Sequence, residues 1–308
     1  MSVYTLVTLS QLRAFFDDYD LGRIDTFEGI ADGIANSNYA VRTTQGDFIL
    51  TLFESQSVEE LSHYVMLLNH LAQSAALYPN PRADRQGHFL RSLNGKPALV
   101  CERLSGRAID CPTREQCRQI GASLAGLHLE TRDVDFPIAG THAPSALATL
   151  FDRIKTDLSV EDTRLIEDEL QFQARIDEPL PGGVIHGDLF RDNALFDNGR
   201  LSGIVDFYSA CHDSWLRDIA VCANDWCHED TLFDRHRFDA LLDGYERIRP
   251  LSEPERRQCR NLLRGSALRF WLSRLVHRHS RRTASLTQPK DPFVFRHLLL
   301  QHRRFADV

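Results

Sequence analysis

Apolar positions recur at helical spacing across residues 57–77, where Val58, Leu61, Val65, Leu68, Leu71 and Ala75 fall on one face and predict an amphipathic helix. A shorter amphipathic helix is expected over 8–20, opened by a Ser or Thr cap. Between the two the period changes. Residues 38–43 and 47–53 alternate or run apolar with β-branched side chains, and the Gln45-Gly46-Asp47 turn makes them a hairpin. A strand ending near Phe27 then leaves the glycine-containing loop 28–37 between strands. Two prolines in 78–87 stop the long helix, and residues 88–93 and 96–104 form a second hairpin about Asn94-Gly95. After Thr113 the pattern turns helical over 113–131, 145–158, 161–175, 214–227, 233–248 and 252–280, with two short strands inside 184–210. The basic, proline-punctuated tail 280–308 is expected to wrap the surface.

This order of elements predicts an α+β chain with two lobes. Residues 1–104 form a small antiparallel-sheet lobe, residues 105–308 form a mostly helical one, and the segment 104–112 is the hinge. Composition changes little in this picture. With 308 residues, 43% hydrophobic and 26% charged, the chain has the profile of an ordinary globular protein with ample core. A formal net charge of −7 gives no sign of a nucleic-acid or anionic-membrane surface, and no stretch reaches the ~20 apolar residues of a bilayer span. The N-terminus lacks the basic and apolar regions of a signal peptide. Seven cysteines, odd in number and without a CxxC pair, speak against a disulfide framework and for a cytoplasmic setting. Cys222, Cys227 and His228 cluster at no usual zinc spacing and read as buried structural groups.

Chemistry concentrates in VIHGDLFRDNALF (184–196) and LSGIVDFYSA (201–210). The spacing HxDxxxxN, followed by an apolar run ending in Asp, matches a kinase catalytic loop and its metal-binding strand. On that reading Asp188 orients a hydroxyl and accepts its proton, while Asn193 and Asp206 offer an amide oxygen and a carboxylate to Mg2+. His186 joins the catalytic group as the scaffold of that loop, bonding backbone or the metal-binding aspartate. Asp192 reads as solvated, and Asp218 either braces the loop or complements a helix dipole. The loop EGIADGIANSNY is neither a Walker A sequence nor GxGxxG, but its backbone NH groups can approach phosphates. Residues expected to contact ATP are Gly29, Gly33, Asn38, Arg42, Glu102 and Leu104. The lysine that a kinase carries on its third strand is missing: Thr51 takes that place, and no lysine precedes Lys96. Arg42, paired with Glu59 or Glu60, is the expected substitute.

These stretches resemble the aminoglycoside phosphotransferase and choline kinase superfamily. Residues 32–54, 120–131, 185–196, 204–227 and 262–275 are similar to its homoserine kinase branch, the NDWC and LRFWLSRL segments most specifically. The resemblance implies a two-lobed protein-kinase-like fold and ATP-dependent phosphorylation of the L-homoserine side-chain hydroxyl, a step of threonine biosynthesis. It places Asp188, Asn193 and Asp206 at catalytic and metal positions. One departure is Gly187, where this branch looks more like HAD.

A homoserine site needs a cation for the carboxylate and an anion for the ammonium. Tyr208, Asp225, Trp226, Arg269 and Arg274 are the expected set, Arg269 lying within an otherwise apolar helix. The alternatives are another small alcohol, aminoglycoside or choline-like, and a nucleotide-binding pseudokinase. The missing strand-three lysine favours the last; retention of Asp188, Asn193 and Asp206 speaks against it. A polypeptide kinase is disfavoured because a helix begins within about ten residues of Asp206, leaving little platform for a peptide.

Overall fold

The computed structural model describes residues 5–30, 36–140, 143–176, 178–280 and 291–304. The chain divides into two compact units: Met1–Gly106 with Ser202–Tyr208, and Arg107–Leu201 with Ser209–Val308. A division by sequence at 104/105 misses the return of residues 202–208 to the smaller unit.

In the smaller unit α1 (Leu9–Phe16) starts at Thr8 with a capping box, the Thr8 hydroxyl and Gln11 side chain satisfying each other's backbone NH. An antiparallel sheet follows, built from β1 (Ile24–Gly29), β2 (Ser37–Thr43), β3 (Gly46–Leu52), β4 (Leu90–Leu93) and β5 (Lys96–Glu102), in the order β1-β2-β3-β5-β4. Leu12, Phe15 and Phe16 of α1 pack with Val41, Leu50 and Val100 in one core. The other helix, α2 (Val58–Ser74), carries its own capping box at Ser57 and Glu60 and buries Leu61, Tyr64, Val65, Leu67, Leu68 and Leu71. Residues 202–208 join this unit through the Ile204 N–H bond to Leu77 O and through Phe207, which is buried edge-on against Tyr78.

The larger unit contains α3 (Arg114–Glu130), α4 (Pro144–Asp152), α5 (Val160–Gln173), β6 (Gly182–Ile185) and β7 (Ala194–Asp197). Next comes β8 (Arg200–Ile204), within which the chain passes to the smaller unit, and then β9 (Cys211–Ser214) and α6 (Trp215–Trp226). A small ribbon, β10 (His228–Glu229) and β11 (Leu232–Phe233), leads to α7 (Arg235–Glu246), α8 (Glu253–Ser280) and α9 (Phe293–Arg304). Two glycines set the packing of α3 on α7. A Cβ at Gly121 would lie 1.9 Å from Leu241 O, and one at Gly244 would lie 2.0 Å from Arg118 O, so only bare backbones approach so closely.

The tail departs from its expected role. Residues 281–290 and 305–308 lie outside the described residues, but α9 between them is a core helix. Its Phe295, Leu298 and Leu299 are fully buried against Leu268, Trp271 and Leu272 of α8. Of the tail's basic residues within the described region, Arg296 pairs with Glu161 and Asp162, and Arg303 and Arg304 lie in the last turn, where they complement the helix dipole.

Candidate functional site

Asp188 follows β6 in a loop whose backbone is held at both of its peptide groups. Its N–H donates to His186 Nδ1 at 3.3 Å, and its carbonyl accepts from Phe190 N at 2.7 Å and Asn193 Nδ2 at 2.8 Å. Asn193 thus spends its amide nitrogen on the loop, and its Oδ1 keeps the lone pairs a hard cation requires. Gly187 takes φ +75°, and a Cβ there would lie 2.6 Å from Ser209 O. That close approach accounts for glycine at the position where the sequence departs from HAD.

Beneath the loop, Asp218 resolves the two sequence-level alternatives in favour of bracing. Its Oδ2 accepts from His186 N at 2.8 Å and its Oδ1 from Gly187 N at 2.9 Å, and the side chain is fully buried. His128 of α3 completes the support, its Nε2 3.1 Å from Asp218 Oδ2 and its Nδ1 2.8 Å from the Tyr245 hydroxyl. Donor and acceptor roles follow in one direction. Arg249 Nη1 donates to the Tyr245 oxygen, Tyr245 donates to neutral His128, and His128 Nε2–H donates to Asp218. Arg249 is itself held by both Glu255 oxygens at 2.8 and 3.0 Å and lies over the Trp215 ring at 4.5 Å. Burial works to raise the Asp218 carboxyl, but the hydrogen bonds it accepts from His128 and from the Gly187 backbone outweigh it and hold the group below the usual carboxylate range. Burial pushes His128 the other way, below the ordinary imidazole value, which keeps it neutral.

Two expected acceptor residues prove to be supports of this loop. Trp226 is fully buried, and its indole N–H donates to Leu189 O at 3.0 Å. Asp225 is 4% exposed and accepts from Arg191 N at 2.8 Å and Arg191 Nε at 3.2 Å, tying down the turn that contains Asn193. Arg191 also donates to Asp110 O and contacts His228 Nε2 at 3.0 Å. Asp192 is exposed, as expected of it. Phe190 anchors the loop in the core, 4.6 Å from the Phe270 ring and 6.0 Å from Phe295. On the same aromatic group sit two cations: Arg269 lies over Phe270 at 4.6 Å and Arg274 over Phe295 at 4.2 Å. Burial lowers the proton affinity of both guanidinium groups, and Asp188 is among the carboxylates that offset it.

In the smaller unit Asp206 is exposed at φ +64°, just past β8. It does not cap α6, whose N-cap is Ser214. Tyr208, expected at the acceptor, instead packs edge-on against Phe53 at 4.9 Å and Tyr64 at 6.1 Å, where burial raises its phenol well above the ordinary value. Asn38 stands opposite Thr51 in the β2–β3 register, and its Oδ1 accepts from the Thr51 hydroxyl at 2.8 Å. The expected Arg42 pair with the helix is not formed. Arg42 is exposed and bonded to its cross-strand partner Asp47 at 2.8 and 3.2 Å, while Glu60 serves the α2 cap. Lys96, the first lysine, is bound to Glu54. Gly29 ends β1 opposite Tyr39, Glu102 pairs with Arg82 at 2.9 Å, and Leu104 is half-buried past β5; Gly33 lies outside the described residues.

Sequence reasoning missed His128, Tyr245, Arg249 and Arg191. His128 left one trace, an imidazole among the apolar positions of IGASLAGLHLE, but its partners come from distant segments.

The model of the phosphotransferase enzyme family matches residues 26–251. Homoserine kinase of Methylobacillus flagellatus is 40% identical over 301 residues, covering 97% of this chain and 94% of that protein. Homoserine kinase of Nitrobacter winogradskyi is 40% identical over 321 residues, covering 98% and 95%. Among solved structures, a microcompartment-associated aminopropanol kinase superposes with a TM-score of 0.69 at 16% identity, covering 96% of this chain and 97% of that one. A choline kinase of Streptococcus pneumoniae gives 0.67 at 14%, covering 96% and 97%; at such identities the likeness is one of fold. By sequence over nearly its full length and by fold, the chain belongs to the phosphotransferase enzyme family and, within it, to the homoserine kinases.

Proposed function

We propose that the protein transfers the γ-phosphoryl group of ATP to the side-chain hydroxyl of L-homoserine, with Asp188 as the base. The observation that carries this reading is the pinning of Asp188 at both peptide groups by His186, Phe190 and Asn193. A base held this way needs no reorganisation as it takes the hydroxyl proton. Asn193 Oδ1 and the Asp206 carboxylate are hard oxygen donors of the kind magnesium takes. When bound, magnesium supplies charge neutralisation at the phosphates. Arg269 and Arg274 receive the homoserine carboxylate: both are half-buried cations, Asp188 is among the carboxylates that support their charge, and both rest on the aromatic cluster that anchors the loop. Two such cations also disfavour a polycationic antibiotic as acceptor. Among the described residues no helix is long and apolar enough to cross a membrane, and the cysteines are free thiols, which suits a cytoplasmic enzyme.

ADP release with magnesium-ATP tests the assignment across homoserine, choline, ethanolamine, methylthioribose and kanamycin. Homoserine is expected to react best. Asp188→Asn is expected to lower kcat by about 10²–10⁴-fold with nucleotide binding retained, and Arg269→Met to raise the homoserine KM by about tenfold or more. Full activity of Asp188→Asn would remove the mechanism, and turnover of another acceptor without homoserine would remove the substrate.

A further inference from the structure

A cavity of about 150 Å³ lies within the larger unit, away from the catalytic loop. Ile176 and Leu262 contribute apolar wall, and its polar groups are Gln173, Glu178, Ser214 and Arg217. Ser214 pairs with Gly182 at the start of β6, whereas the loop leaves the other end of that strand after Ile185, roughly 10 Å further on. No residue assigned to phosphoryl transfer lines this space.

Its polar groups have unused capacity of two kinds. Ser214 and Arg217, from the start of α6, are donors. Arg217 uses Nε on Asp213 at 3.1 Å, and its terminal nitrogens make no hydrogen bond to the described residues. Ser214 is the N-cap residue of α6 yet makes no side-chain cap bond, and its buried hydroxyl has no hydrogen-bond partner among the described residues. Such a hydroxyl is costly unless something satisfies it. Gln173 and Glu178, from the end of α5 and the segment after it, are acceptors. Gln173 spends its amide nitrogen on Glu169 and Asn261 O, so Oε1 remains. Glu178 takes Arg257 on one oxygen and Gln258 on the other, with lone pairs to spare. One guanidinium, one carboxylate and a short apolar wall complement a zwitterion with a small aliphatic side chain. The space suits a molecule of about eight non-hydrogen atoms.

We propose that this cavity binds a free small aliphatic α-amino acid, its carboxylate on Arg217 and Ser214 and its ammonium against Glu178 and Gln173. Arg217 immediately precedes Asp218, the carboxylate that holds His186 and Gly187. A ligand there therefore rests on the same helical turn that braces the catalytic loop.

L-Valine is the chosen probe, because without a hydroxyl it cannot be phosphorylated. Titration calorimetry of the full chain should show one valine per chain. Affinity should fall about tenfold or more in Arg217→Gln and in Ser214→Ala, while Arg269→Met, altered at the proposed acceptor site, should bind valine as the unmodified protein does. Absence of valine binding up to about 10 mM, binding that survives both cavity substitutions, or binding lost in Arg269→Met would each overturn the proposal. The last outcome would assign valine to the acceptor site instead. Should Arg217→Gln fail to fold, Ser214→Ala decides alone.

Discussion

At the scale of single residues, the site depends on which polar atoms are already engaged. Trp226 is the clearest case. Its indole N–H holds Leu189 O, so Trp226→Phe leaves a buried carbonyl without its donor, at a cost of about 1–3 kcal/mol. The variant should lose denaturant stability and kcat while keeping its homoserine KM. A raised KM with unchanged stability would return Trp226 to the acceptor. Arg42 carries the converse expectation. An exposed cross-strand pair with Asp47 contributes little to stability and occupies the guanidinium. Arg42→Ala should therefore change the nucleotide KM by less than about twofold, and a large increase would show that Arg42 leaves Asp47 to grip the phosphates.

Among the elements, α9 is the one whose role the sequence conceals. Phe295 is fully buried in the core, 5.4 Å from Phe270 and 6.0 Å from Phe190 of the loop after β6. Phe295→Ala is expected to destabilise the protein by about 3–5 kcal/mol in urea unfolding. Because Phe190 loses a neighbour, kcat should fall at temperatures where the variant is still folded. Stability unchanged by this substitution would contradict a core role for α9. The pairing of α3 with α7 works on the same scale, since the backbone contact at Gly121 and Gly244 is what lets Tyr245 meet His128.

For the whole molecule, buried neutral histidines set the acid limit of stability. His302, whose Nε2 is 2.9 Å from Asn224 Oδ1, is pushed down to about 3 by burial, and His128 is lowered in the same direction. In the unfolded chain such groups titrate near 6.5. Above that value both states are neutral and the stabilisation is complete. As the pH falls below it, the unfolded chain takes up protons that the fold refuses, so stability declines. Asp218, held low, adds a loss only further into acid, as pH falls through its folded value. The melting temperature should decrease steadily from about pH 7.5 to pH 5, and His302→Gln should flatten that slope. An identical slope in the variant would exclude His302 as a source of it.

The sequence alone determined what can be read from local order. The hairpin of β2 and β3, which turns at Thr44-Gln45 and so one residue before the expected 45–47, the hairpin at Asn94-Gly95, the amphipathic helices, and the fixed spacing of His186, Asp188, Asn193 and Asp206 are properties of neighbours along the chain. Side-chain period and turn chemistry act over a few residues and are legible there. Tertiary structure decided what those residues do. The chain His128–Asp218–Gly187 joins α3, α6 and the loop after β6, and no window of sequence contains it. Asp225 and Trp226 lie on a helix that runs under the loop, so burial converted expected ligands of the substrate into ligands of the backbone. Burial is a property of the packed fold, and it determines whether a polar side chain is left to meet a substrate or is already spent on the protein.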